Sequence, residues 1–101
     1  MMIAWQTING VKVAELPDRV DANSSKAVEE QLMAALDEGT KALVCDLAKT
    51  AYVSSAGLRV FVAVLKRVNK EQSRLALCGL QPVVAEVMEM TGFVPLFAIL
   101  P

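Results

Sequence analysis

Two short apolar runs, Ala42-Leu43-Val44-Cys45-Asp46-Leu47 and Arg74-Leu75-Ala76-Leu77-Cys78, flank a segment over 58–68 whose apolar residues recur at helical spacing. Strand, helix, strand in that order leaves few arrangements open. Buried strands joined by a helix-length crossover pair in parallel, with the helix packed on the sheet. The alternation extends both ways. Upstream, Val28, Leu32, Ala35 and Leu36 share one helical face, Lys26, Glu29, Glu30 and Asp37 fall elsewhere, and Gly39 supplies a left-handed stop after a helix predicted to reach about Glu38. Downstream, Pro82 suits the first turn of a third helix, Gly92 closes it, and 96–100 make a last strand. The start of the chain differs. Runs either side of Asn9-Gly10, within 3–16, predict an antiparallel hairpin, because this dipeptide accepts the positive backbone angles of a two-residue turn. A loop of turn formers over 17–24 then ends in helix-cap residues. The expected class is α/β: one domain over 1–101, a mixed sheet of about five strands that opens with the hairpin, and three main helices. The central strands lack clean alternation and are expected to be buried on both faces.

A chain of 101 residues has room for one core, and with 54% hydrophobic, 21% charged and only 5% aromatic residues that core must be aliphatic. Ten basic and eleven acidic residues give a net charge of −1, which lacks the electrostatic footprint of a nucleic-acid or anionic-membrane binder. Partners are therefore expected to be proteins or small molecules, with no direct nucleic acid. No run reaches the roughly 18–20 apolar residues of a membrane span, and the N-terminus has no basic start or cleavage site of a signal peptide, so no membrane insertion and a cytoplasmic location are expected. Cys45 and Cys78 lie in separate apolar runs without CxxC spacing and read as core residues. With no histidine there is no Ser-His-Asp triad, and no Gly-rich phosphate cradle is present. The expectation is no catalytic residue, no metal and no cofactor.

The most informative stretch is Val53-Ser54-Ser55-Ala56-Gly57-Leu58, where an apolar run stops at two serines and the second helix begins, to end near Lys70. Either serine suits a helix cap, and the converging backbone N–H groups also favour an anion. Beyond the core stripe of Leu58, Phe61, Val62 and Leu65, the residues Val60 and Val64 widen the apolar arc of this helix to roughly 200°. Either a neighbouring element covers the Gly57-Val60-Val64 edge, or a protein partner does. Asp21 and Asp46 each lie near a strand end, where ligands of open α/β sheets tend to sit; with the serines they could hold magnesium weakly, which keeps a weak nucleotide- or metal-dependent enzyme as a third reading.

In these residues the chain resembles the STAS domain family, and within it the bacterial anti-sigma factor antagonists. Asp46-Leu47, a spacer and then Tyr52-Val53-Ser54-Ser55-Ala56-Gly57-Leu58-Arg59-Val60 look like its signature, and the opening hairpin, the turn ending in Asp21 and the helix from Pro82 match in order. The resemblance implies a single STAS-like domain that is not an enzyme but a phosphorylation-gated binding module. Unphosphorylated, it would bind an anti-sigma factor that is also its serine kinase; a metal-dependent serine phosphatase would reverse the modification. Alignment on Gly57-Leu58 puts the phosphoacceptor at Ser55, with Ser54 the second choice, Asp21, Asp46 and Gly57 around it, and Ser54, Gly57, Val60 and Val64 as the partner-binding surface. The family often has aspartate where this chain has Ser54, and the turn Leu16-Pro17-Asp18-Arg19-Val20 lacks the family's glycine. The alternative implied by the family is a non-phosphorylated STAS adaptor docking on a transporter subunit or signalling scaffold.

Overall fold

The computed structural model describes residues 3–100. Strands β1 (Ala4–Ile8) and β2 (Val11–Glu15) form the expected antiparallel hairpin, in register Ile8 opposite Val11, and Asn9 and Gly10 take the positive φ angles of 52° and 81° that its turn requires. A two-residue strand β3 (Arg19–Val20) leads to helix α1 (Ser25–Asp37) and strand β4 (Ala42–Asp46). A second two-residue strand, β5 (Tyr52–Val53), leads to helix α2 (Ser55–Lys70), which is followed by strand β6 (Arg74–Cys78) and helix α3 (Pro82–Met90). A 3₁₀ turn over Val94–Leu96 precedes strand β7 (Ala98–Leu100), so the last strand starts two residues later than the pattern predicts.

The main sheet has the order β1-β2-β4-β6-β7, antiparallel only between β1 and β2. From β2 onward each crossover steps in the same direction across the sheet. Right-handed crossovers that all step one way deposit their helices on one face. Accordingly Val28, Leu32 and Leu36 of α1, Phe61 and Val64 of α2, and Val84 and Met88 of α3 share a single core with Leu43, Cys45, Leu75 and Leu77. Among the described residues, the opposite face of the sheet carries no helix. The expectation of two-sided burial is therefore corrected: in β4, Leu43 and Cys45 are buried while Ala42, Val44 and Asp46 are half-buried. Cys45 lies in the core, where burial pushes its thiol up to about 12. Cys78 is only half-buried, against the expectation of a core residue.

A second correction concerns the wide arc of α2. Val60 is 2% exposed and Val64 0%, because α1 lies along α2 and covers that edge. The neighbouring helix, not a partner, completes the packing. These two valines are core residues and do not belong to a binding surface.

Candidate functional site

The serine turn is built on a miniature parallel sheet. Arg19 pairs with Tyr52 and Val20 with Val53, and the ladder continues as the Ser54 N–H donates to the Val20 carbonyl at 2.9 Å. Asp21 is thereby brought abreast of Ser54. The preceding loops are stitched together as well: the N–H of Ala51 donates to the Asp18 carbonyl at 2.7 Å, and the buried Thr50 Oγ1 donates to the Pro17 carbonyl at 2.7 Å. Both strands enter the turn with fixed backbones.

Gly57 is the steric condition for this arrangement. A Cβ there would overlap the Val20 carbonyl oxygen and meet Val53 Cγ1 at 2.9 Å, so the first turn of α2 can press on β3 only without a side chain. The need is for close approach. Gly57→Ala is expected to cost about 2 kcal/mol in a urea titration, the usual size of overpacking against backbone that cannot yield. An unchanged midpoint would show that β3 moves aside freely.

The two serines take different tasks. Ser54, half-buried with φ −87° and ψ 177°, is the N-cap, and its Oγ accepts from the Gly57 N–H at 3.3 Å. Ser55 is the first helical residue and exposed, and among the described residues no hydrogen bond engages its Oγ. The first turn of α2 has no acidic side chain, whereas Arg67 and Lys70 complement the dipole at the far end. The N-terminal end thus presents uncompensated positive potential next to a free hydroxyl, the electrostatic setting that accepts an anion.

The acids are also separated in role. Asp21 Oδ1 accepts from the backbone N–H groups of Asn23 at 3.0 Å and Ser24 at 3.3 Å, which shapes the entry to α1. Its Oδ2 meets Arg19 Nε at 3.1 Å, and this contact first, then the backbone donors, holds its carboxyl below the usual range. Asp46 Oδ1 accepts from the Ala48 N–H at 2.9 Å and lies 2.8 Å from where a Cβ on Gly79 would stand. Its carboxylate thus serves its own turn beside the start of the α3 connection, and among the described residues no hydrogen bond ties it to the serine turn. Among the described residues, no three Cys, His, Asp or Glu side chains converge as metal ligands would.

Sequence reasoning missed Arg19, whose guanidinium stacks 4.5 Å from the Tyr52 ring centre while holding Asp21. No sequence signal marked it, because the strands that bring Arg19 and Tyr52 together are two residues long. Also missed was a groove of about 500 Å³ between α1 and α2, lined by Lys26, Glu29, Met33, Ala56, Arg59 and the edge of Val60. The exposed surface at the head of α2 is therefore Ser55 and Arg59 with half-buried Ala56 between them, while Gly57, Val60 and Val64 lie beneath it.

The STAS domain family model matches residues 2–101. BtrV of Bordetella bronchiseptica, assigned as an anti-sigma factor antagonist, is 37% identical over 99 residues, spanning 98% of this chain and 85% of that protein. Among solved structures, an anti-sigma factor antagonist from Thermotoga maritima superposes with a TM-score of 0.89 at 17% identity, over 96% of this chain and 84% of its own. The phosphorylated form of the Bacillus cell fate determinant SpoIIAA gives 0.74 at 13% identity, over 99% and 92%.

Proposed function

Because the chain belongs to the STAS domain family, we propose that it is an anti-sigma factor antagonist gated by phosphorylation of Ser55. Unmodified, it binds an anti-sigma factor that is also a serine kinase, and so frees a sigma factor to direct transcription. The observation that carries this reading is the division of labour at the turn: Ser54 caps α2, which leaves the Ser55 hydroxyl exposed and unengaged at the positive end of the helix. A metal-dependent serine phosphatase resets the switch. The domain itself acts by binding, without catalysis or a cofactor, in the cytoplasm; among the described residues no helix is long and apolar enough to cross a membrane. Asp21 supports the reading through its place abreast of Ser54, where it shapes the ground on which kinase and phosphatase act. Asp46 acts at most indirectly, through the loop that carries β5.

The test is to incubate the protein with ATP and the serine kinase from its genomic neighbourhood, then to measure the intact mass and map the modified residue. One phosphate on Ser55, appearing only with the kinase, is the expected outcome. Phosphate elsewhere, or none together with stable co-purification of a transporter subunit, would replace the switch with a constitutive adaptor.

A further inference from the structure

Arg59 follows Ser55 by four residues on α2, and both are exposed. Helical positions four apart lie one above the other, about 6 Å apart at Cβ, and helical side chains lean toward the N-terminus. A side chain as long as that of Arg59 is therefore within reach of the turn that carries Ser55. An acid four residues before a base is also the favourable order for such a pair, because it agrees with the helix dipole. Other cations of the surrounding loops are engaged: Arg19 with Asp21 at 3.1 Å and Lys49 with Glu15 at 3.1 Å. Arg59 takes part in no ion pair among the described residues, although Glu29 and Glu30 line the same groove.

We propose that Arg59 is the intramolecular receptor for phosphate on Ser55, its guanidinium donating to the phosphate oxygens one helical turn away. The planar fork of donors suits a phosphate better than an ammonium would. Arg59 is then a positioning residue that fixes the phosphate at the mouth of the groove between α1 and α2, and it offsets part of the added charge. The inference rests on Ser55 as the acceptor, and it deepens that reading by naming what the modified side chain binds.

The experiment needs no kinase. Phosphoserine installed at position 55 during translation is titrated by phosphorus NMR in the wild type, Arg59→Gln, Arg59→Lys and Lys26→Gln. A nearby cation favours the dianion, so Arg59→Gln is expected to raise the second phosphate pKa, ordinarily about 6, by about half a unit over the wild type. Arg59→Lys should fall between them, and Lys26→Gln, which removes a cation from the same groove, should shift the value by less. Equal values for the wild type and Arg59→Gln overturn the proposal. So does a shift from Lys26→Gln as large as that from Arg59→Gln, since the field would then be general. Failure here leaves kinase-dependent phosphorylation untouched, and failure of that phosphorylation leaves this titration readable.

Discussion

Val64→Asp is expected to unfold the domain or bring it to the edge of unfolding at 25 °C. Val64 is 0% exposed in the core that α2 shares with α1, α3 and the sheet, and among the described residues no cationic side chain belongs to that core cluster. A carboxylate there loses its hydration without gaining a partner, or takes up a proton and still buries an unmatched hydroxyl. Added to the lost valine packing, the cost is about 4 kcal/mol or more, against a total stability of about 5–15 kcal/mol for a domain of this kind. Lys66→Ala, two residues on but exposed, is expected to change stability by only about 0.5 kcal/mol. Denaturant titration followed by circular dichroism separates the two. If Val64→Asp unfolds at the wild-type midpoint, α1 does not cover α2, and the edge is the binding surface that the helical wheel alone suggests.

That contrast shows where the sequence is legible and where it stops. The core face of α1 is read correctly residue by residue: Val28, Leu32, Ala35 and Leu36 are its buried positions. The apolar residues of α1 form one narrow stripe, so the helix states its own orientation. For α2 the pattern shows an arc too wide for one contact but not what fills the second, because helix packing joins residues 30 or more positions apart, as Arg67 does in reaching Asp37 at 2.6 Å. Burial of β4 fails for a related reason. Small apolar residues such as Ala42 and Val44 look the same on an open face as on a covered one, and only the strand order shows that all helices fall on one side. At the site, the serine turn that opens α2 was legible because capping is local chemistry. The pairing of β3 with β5 was not, since two residues carry no periodicity, and Asp46 was drawn to the serines by its strand end when its carboxylate is committed to Ala48.

The largest functional effect is expected at Ser55. A phosphate there brings about −1.5 to −2 charges, and if Arg59 offsets one of them, about half to one charge remains at the head of α2. The packing beneath it is closed, so the domain has no reason to rearrange: Gly57, Val60 and Val64 are buried and Ser54 still caps the helix. The change is felt by whatever covers Ser55 and Arg59. An acidic partner group at about 6 Å, at an effective dielectric of about 20, is repelled by roughly 3 kcal/mol per unit charge, which puts the loss of affinity between about tenfold and about a hundredfold. Calorimetry with the anti-sigma factor should therefore find phosphorylated protein weakened within that range, and Ser55→Asp weakened by about tenfold or less, because its single charge is the one Arg59 can offset. Ser55→Ala should bind like unmodified wild type and take up no phosphate. Ser54→Ala loses the cap, at about 1 kcal/mol of stability, yet should still be phosphorylated, since the acceptor hydroxyl and the backbone donors of the turn remain. Uptake of one phosphate by Ser55→Ala, or undiminished binding by the phosphorylated protein, would remove the switch from Ser55; a Ser54→Ala variant that folds but takes no phosphate would move the acceptor to the capping serine.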